Sequence, residues 1–290
     1  MDTIRDIRIR LKSIDSTKQI TESMRMISTR KAQKTKVRMG DNRAYLNQSS
    51  ETLKEMINSG KFNDHAYIKQ NITTENKPLI IVITGDRGLC GGYNINASKE
   101  AVVLAQTIDG DATFLTIGTK GRDYLNRRNH TIVGSYKGLS ENPFYRDAMA
   151  IGNIVLNMYN EKTIDEVYLV YTEYHTMLVQ TPVSSRILPF DPPNAPIVEP
   201  SASDEQKYET DANEIFETAA STYIYAKIFG AMLESAVCEQ CAKLTSMDSA
   251  VKNSEKIIDS LKLQYNQMRQ SAITQEIAEI VGGANAVEDK

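Results

Sequence analysis

The amino-acid sequence predicts an α/β protein in two parts. One is a long antiparallel coiled coil of the N- and C-terminal helices, and the other is a central Rossmann-like α/β domain with a mostly parallel five-stranded sheet. Three observations lead to this prediction. Residues 211–281 contain no proline and a single glycine, Gly230. The first sixty residues carry a helical apolar stripe, and between residues 77 and 189 strand-like runs alternate with helices.

A heptad repeat marks the C-terminal helix, which we predict over residues 209–284, with a short tail over 285–290. Apolar or small residues recur every seven positions, and the row between them is partly polar, as in a coiled coil with a soft seam. The first row is Val237, Leu244, Val251, Ile258, Tyr265 and Ala272, and the second is Gln240, Met247, Ser254, Leu261, Met268 and Gln275.

The partner helix is predicted at the other end of the chain, over residues 1–60. Its apolar side chains recur at spacings of three and four, which places them on one face of a helix. Because neither helix buries its stripe alone, we expect the two to pair in antiparallel fashion within one chain. The stripe comprises Ile4, Ile7, Leu11, Ile14, Ile20, Met24 and Ile27.

The globular α/β domain is predicted over residues 77–189, and a proline-rich linker, 190–208, leads back to the coiled coil. Buried strand patterns that alternate with helices indicate a parallel sheet with crossover helices. The last two strands, joined near His175, indicate an antiparallel hairpin. The predicted strands are 78–85, 112–118, 130–136, 165–174 and 176–188, and the predicted helices are 94–108, 119–128 and 142–160, the last opened by Asn142 and Pro143.

A glycine-rich turn follows the first predicted strand and contains Gly85, Gly88, Gly91 and Gly92. Turns between a strand and a helix N-terminus often bind phosphate. This turn, however, has neither the dinucleotide-binding spacing nor the Lys-Ser/Thr pair of a P-loop, and the second strand supplies no acid for a ribose hydroxyl. We therefore favour a structural turn and keep a nucleotide site as the alternative.

Composition indicates a soluble intracellular protein. No apolar run reaches the ~18–20 residues that span a bilayer, and the first ten residues are too charged for a signal peptide. Three cysteines argue against a secreted disulfide framework. Cys238 and Cys241 form a lone C-x-x-C pair, which we interpret as small core residues rather than as a metal or redox site.

A basic segment, residues 30–38, makes the N-terminal region cationic. Residues 1–45 carry a local net charge of +7, whereas the whole chain carries −3. A solvated helix face and a surface for an acidic partner are both open interpretations. Nucleic acid ranks low because the rest of the chain is acidic. The cations of this segment include Arg30, Lys31, Lys34 and Lys36.

Three segments closely resemble the gamma subunits of the F-type, or rotary, ATP synthases of bacteria. They are STKQITESMRMIS with the basic run after it (16–38), TGDRGLCGGYN (84–94) and LQYNQMRQSAITQEIAEIVGGA (263–284). The order of the segments and the α/β insert also agree, so the resemblance covers essentially the whole chain.

The resemblance implies a central rotor shaft that is not catalytic on its own and needs no cofactor. Its coiled coil would stand inside a ring of three alpha and three beta subunits. Its globular domain, with the epsilon subunit, would sit on the c ring at the cytoplasmic face of the inner membrane without entering the bilayer. Ion flow would turn the c ring and the shaft, and the asymmetric shaft would bias each beta subunit among its conformations.

The resemblance also implies contact residues. Tyr208 and Glu209 match a segment near the c ring, although the proline usual next in the family is Thr210 here. Lys243 stands where the family commonly has an arginine, and lysine lacks the planar fork of that side chain. The implied contacts with beta subunits are Met24, Arg25, Arg30, Lys31, Lys34, Lys36, Lys243, Arg269, Gln270, Thr274 and Glu276.

Two alternatives of other classes stay open from the residues. One is a nucleotide-binding α/β enzyme with helical dimerisation arms, which predicts nucleotide binding at the glycine-rich turn. The other is a basic coiled-coil protein that binds nucleic acid, which predicts steeply salt-dependent binding to a duplex. Neither alternative explains the C-terminal segment.

Overall fold

The computed structural model describes residues 3–68, 76–192 and 212–288, with side chains described up to residue 282. The chain begins and ends with its two longest helices, α1 (Ile4–Asn58) and α5 (Ala212–Glu288). The second of these runs four residues past the predicted end at 284. The elements between them are β1 (Pro78–Ile83), α2 (Tyr93–Thr107), β2 (Thr113–Ile117), α3 (Thr119–Asn126), β3 (Ile132–Tyr136), α4 (Tyr145–Asn160), β4 (Glu166–Tyr174) and β5 (Gln180–Leu188).

The five strands form one sheet in the order β3-β2-β1-β4-β5. β1 pairs in parallel with β2 and with β4, and β2 pairs in parallel with β3. Only β5 is antiparallel, as the second strand of a hairpin with β4. The predicted fold class, two long terminal helices with a mostly parallel five-stranded central sheet, is therefore confirmed.

Each face of the sheet has its own apolar core, because the crossover helices cover both sides. Ile80 and Val82 point from β1 to one face, where Ala101 of α2 and Leu125 of α3 pack on them. The opposite face, which includes Ile81, packs against α4 and against parts of both long helices. That larger core includes Leu53 and Ile57 of α1, Ile151 and Val155 of α4, and Phe216, Ala220, Ile224 and Ile228 of α5.

The chain divides into two compact units, Met1–Ile27 with Leu244–Lys290, and Ser28–Lys243. In the first unit, α1 and α5 pair in antiparallel fashion, as predicted. Nζ of Lys18 lies 2.8 Å from Oε1 of Glu255, and the Arg25–Asp248 pair is 3.2 Å apart. Arg8 donates to the hydroxyl of Tyr265 at 2.9 Å. From Arg25–Asp248 to Lys18–Glu255, the contact moves seven residues back along α1 and seven residues forward along α5. The Arg8–Tyr265 contact lies ten residues further in each direction, as antiparallel helices require.

Helix α4 begins at Tyr145, three residues later than the predicted start at Asn142. The side chain of Arg38 explains the difference. Its Nη1 donates to Oδ1 of Asn142 at 2.7 Å, and its Nη2 donates to the carbonyl oxygen of Pro143. Asn142 and Pro143 therefore belong to a loop that is held against α1, rather than to the first turn of the helix.

The glycine-rich turn has structural reasons for glycine at three of its four positions. A Cβ on Gly85 would lie 2.9 Å from the carboxylate carbon of Glu239, whose side chain is completely buried. Gly91 has a φ of 54°, in the left-handed region that favours glycine. A Cβ on Gly92, at the start of α2, would lie 3.1 Å from Nδ2 of Asn96, whereas a Cβ on Gly88 would meet open space.

This difference between Gly85 and Gly88 predicts a matched pair of effects on stability. We expect Gly85→Ala to lower the free energy of unfolding of the full chain by ~1–3 kcal/mol, because the buried carboxylate of Glu239, which is paired with Lys243, must shift for the new methyl group. Gly88→Ala should stay within ~0.5 kcal/mol of the parent. Urea unfolding followed by circular dichroism measures both changes. Equal effects of the two substitutions would contradict this account of the turn.

The pairing of α1 with α5 predicts a cross-link within one chain. A zero-length carbodiimide joins an amine to a carboxylate that touches it, so we expect an amide bond between Lys18 and Glu255. Peptide mass spectrometry of the monomer-sized product should show residues 18 and 255 in one linked pair. Lys18→Arg is the control, since arginine keeps the charge but its guanidinium is not acylated. Links found only in dimer-sized products would refute the pairing.

Candidate functional site

The place where a ligand would bind in this fold lies at the carboxyl ends of β1 and β4. In doubly wound sheets, ligands bind in the crevice where the strand order reverses. The sheet runs from β1 to β2 and β3 on one side and to β4 on the other, so the reversal lies between β1 and β4. β1 pairs with β4 only as far as Val170. The last four residues of β4 therefore extend beyond their neighbour on this side.

Helix α5 occupies this crevice and takes up the hydrogen-bonding groups that β1 leaves unpaired. The backbone N–H of Thr172 donates to Oγ of Ser235 at 3.3 Å, and the N–H of Tyr174 donates to Oε1 of Glu234 at 3.0 Å. The thiol of Cys238 donates to the carbonyl oxygen of Thr172 at 3.4 Å. Residues 235–241 of α5 are all buried. The crevice is thus filled by the chain's own C-terminal helix.

The carboxylate of Glu239 lies over the glycine-rich turn, where an enzyme of this fold would hold phosphate. Glu239 is completely buried and its Oε1 is 2.7 Å from Nζ of Lys243. Burial raises the pKa of Glu239, and the neighbouring Lys243 opposes that rise. Burial also raises the pKa of Cys90 and of Tyr93, which line the same place. A phosphate here would meet a carboxylate, so the geometry argues against a nucleotide site.

Asp86 lies inside the glycine-rich turn and connects this turn to the start of α3 and to the loop after β3, at the same edge of the sheet. Its Oδ1 accepts the N–H and the hydroxyl of Thr119 at 3.0 and 2.9 Å. Its Oδ2 accepts the N–H of Gly138 at 2.8 Å and the hydroxyl of Ser140 at 3.1 Å. Burial pushes the pKa of Asp86 upward, but these hydrogen bonds outweigh it and lower the pKa. The carboxylate is therefore occupied as a structural acceptor.

A series of ion pairs connects α5 to α1 through the loop after β3. Lys243 contacts Oε1 of Glu239 at 2.7 Å and Oε1 of Glu141 at 3.3 Å, while Oε2 of Glu141 is 2.6 Å from Nζ of Lys31. Lys31 is the largest cause of the lowered pKa of Glu141. Burial opposes the charge on Lys243, but the two carboxylates outweigh it and raise its pKa. Lys243 is thus buried and paired inside the chain, and its implied contact with a beta subunit stays a prediction.

Three cations of the basic segment contact the α/β domain of the same chain. Lys31 pairs with Glu141, Lys36 lies 3.4 Å from the hydroxyl of Tyr174, and Arg38 binds the loop that precedes α4. Arg30 and Lys34 differ: both are exposed and neither makes a hydrogen bond or ion pair with the residues that the structure describes. Only part of the basic segment is therefore open to an acidic partner.

The other implied contact residues within the described part of the chain lie on the two long helices, and all but Arg25 are exposed. Met24 is 37% exposed, and its neighbour Arg25 pairs with Asp248. The C-terminal group is exposed on α5 among large apolar side chains, and the hydroxyl of Thr274 donates back to the carbonyl oxygen of Gln270 at 2.9 Å. Tyr208 and Glu209 lie outside the described residues. The exposed C-terminal group is Arg269, Gln270, Thr274 and Glu276, and the apolar side chains around it are Ile273, Ile277, Ile280 and Val281.

Sequence reasoning missed three carboxylates that organise the unit from Ser28 to Lys243: Asp86, Glu141 and Glu239. Glu239 and Lys243 do stand at the i, i+4 spacing of a helical ion pair, but that spacing is common on exposed faces. In the parts of the chain that the structure describes, no group of three or more His, Cys, Asp or Glu side chains is placed to hold a metal ion. Nor does any helix there have the length and apolarity to cross a membrane.

Comparisons with known proteins cover nearly the whole length of the chain. Residues 3–287 match the sequence profile of a family described as ATP synthase. The ATP synthase gamma chain of Alkaliphilus metalliredigens is 37% identical over 287 residues, which is 98% of each chain. A sodium-ion-specific ATP synthase gamma chain from Acetobacterium woodii is 33% identical over 302 residues, with 99% of each chain covered.

The structure is also similar to a solved one. A chain in the cryo-EM structure of the Euglena gracilis mitochondrial ATP synthase (OSCP/F1/c-ring) superposes with a TM-score of 0.70, at 18% identity, over 98% of this chain and 94% of that one. At this identity the likeness shows the fold alone. The full-length matches to bacterial gamma chains carry the assignment: the chain belongs to the ATP synthase gamma-chain family.

Proposed function

We propose that this chain is the central rotor shaft of an F-type ATP synthase and has no catalytic activity of its own. The observation that carries the proposal is that its two long terminal helices pair with each other within one chain, while their outer faces keep cations and apolar side chains exposed. Family membership gives those faces their partners: the alpha and beta subunits around the coiled coil, with the epsilon subunit and the c ring at the globular domain. The complex would place the chain as a peripheral protein at the cytoplasmic face of the membrane.

The proposed mechanism is a population shift driven by rotation. A shaft changes the state of a beta subunit only if it makes different contacts with different conformations of that subunit. The outer faces of the two helices offer different chemical groups for such contacts. Arg30 and Lys34 offer positive charge on α1, whereas the end of α5 offers amide, hydroxyl and isoleucine groups. As the shaft turns, the contacts of each beta subunit with these groups would change, and ATP synthesis or hydrolysis would follow at sites on other subunits.

A nucleotide-binding enzyme is the weaker candidate for a physical reason. Its site would lie in the crevice between β1 and β4, which Glu234, Ser235 and Cys238 fill. Glu239 adds a buried negative charge beside the turn that would hold the phosphates. These contacts support a structural role for the glycine-rich turn.

Purification of the tagged chain from its own cells tests the proposal. We expect alpha, beta and epsilon subunits to co-purify, and the c ring to join them after mild detergent extraction. Mass spectrometry identifies the subunits, and equilibrium dialysis of the isolated chain with ATP supplies the complementary test. Recovery of the chain without those subunits, together with ATP binding that Gly91→Val abolishes, would overturn the proposal in favour of the enzyme.

The end of α5 predicts where the shaft and the beta ring are coupled. We expect Gln270→Ala with Thr274→Ala to reduce ATP turnover by the assembled complex, because two hydrogen bonds of ~0.5–1.5 kcal/mol each would be lost at one narrow contact. The comparison pair is Arg30→Ala with Lys34→Ala. Those exposed cations should each contribute only ~0.2–1 kcal/mol, so their loss should reduce turnover less.

Hydrolysis and ion pumping are measured for both double variants in reconstituted membranes, after gel filtration has shown that each complex assembles. Full activity of the α5 variant combined with a loss in the α1 variant would reverse the assignment of the coupling contact.

A further inference from the structure

Glu141 joins three elements of the unit from Ser28 to Lys243. Its two carboxylate oxygens bind different helices: Oε2 contacts Lys31 of α1, and Oε1 contacts Lys243 of α5. We infer that Glu141 is a positioning residue, which fixes the α/β domain in one orientation against both long helices, so that a rotation imposed on the domain reaches both at the same angle. The inference rests on the proposed rotor function and adds a residue to it.

The loop that carries Glu141 is itself held on both sides. Before Glu141, the N–H of Gly138 and the hydroxyl of Ser140 donate to Asp86. After Glu141, Arg38 of α1 donates to Asn142. An ordinary surface carboxylate moves with its loop, and its ion pairs stabilise little for that reason. The position of Glu141 is set by these neighbours, so its two ion pairs define a fixed distance to each helix.

The Lys243 end of the arrangement is equally constrained. Lys243 is only 10% exposed at its side chain and also pairs with Glu239, which is completely buried and abuts the position of Gly85. The ion pair therefore connects to the end of β1 as well as to the loop after β3. In such a partly buried place, charges are screened less than at the surface, and the directional contacts are correspondingly stronger.

Apolar packing supplies little of the fixation of α1 at the level of Lys31. The buried side chains that α1 contributes here are Ser28 and Thr35, whereas α5 buries Val237 and Cys238 at the same level. Small and polar side chains do not interlock as the branched side chains of a core do. At this level, the orientation of α1 against the domain therefore depends on hydrogen bonds and ion pairs, which is the role in which buried charges are best attested.

Glu141→Gln in the complete, assembled complex tests the inference. Glutamine keeps the shape and one acceptor oxygen but removes the charge, so a role in packing alone predicts no change. We expect the ratio of ions pumped to ATP hydrolysed in reconstituted vesicles to fall by about two- to fivefold, the factor that loss of a partly shielded ion pair gives. Glu141→Asp, which keeps the charge, should recover part of the ratio.

Glu255→Gln is the matched control. It breaks the Lys18–Glu255 pair, which also joins α1 to α5 but whose carboxylate is 50% exposed, against 29% for Glu141, and it should leave the ratio unchanged. In a Lys31→Met background, Glu141→Gln should lower the ratio less than it does alone, because one of its two contacts is already gone. An unchanged ratio in Glu141→Gln, with normal assembly, would overturn the inference and leave the rotor function standing. If the unaltered chain did not assemble with alpha, beta and c subunits, the rotor function itself would fail.

Discussion

The backbone of β4 beyond Val170 needs hydrogen-bond partners that β1 no longer supplies, and α5 provides them. A buried backbone group without a partner is strongly unfavourable, so the end of β4 and the segment of α5 from residue 234 to 239 must fold together. The N–H groups of Thr172 and Tyr174 meet this requirement by donating hydrogen bonds to side chains of α5. They place the C-terminal helix in the crevice where other proteins of this fold bind ligands. The sheet therefore supports a helix at this place instead of a ligand.

Much of the composition of this region follows from that placement. A helix that is surrounded on all sides has no solvated face, and residues 235–241 are all buried. Cys238 and Cys241 fit there because they are small, and burial raises the pKa of both thiols, which keeps them protonated and unreactive. Gly85 leaves room for the carboxylate of Glu239, and Lys243 follows one turn later to balance its charge.

The sequence predicted the elements well where a local pattern determined them. The apolar run of β1, the alternation of β4 and β5, and the heptads of α5 each specify one structure through their own periodicity. The start of α4 was misplaced because Asn142 and Pro143 resemble a helix start locally, while Arg38, about one hundred residues earlier, holds them in a loop. The roles of Asp86, Glu141 and Glu239 were equally out of reach, since each depends on partners that only the folded chain brings together.

The difference between local patterns and contacts formed only in the folded chain also explains why the sequence left two interpretations of the basic segment open. Along a helix, cations at positions 30, 31, 34, 36 and 38 point in several directions, so they cannot all face one partner. The fold directs Lys31, Lys36 and Arg38 to the α/β domain and leaves Arg30 and Lys34 outside. A shaft needs both kinds of contact, because a torque can be passed on only by a helix that is held firmly by its own domain and still presents free groups to its surroundings. In this chain, different faces of one short basic segment meet the two requirements.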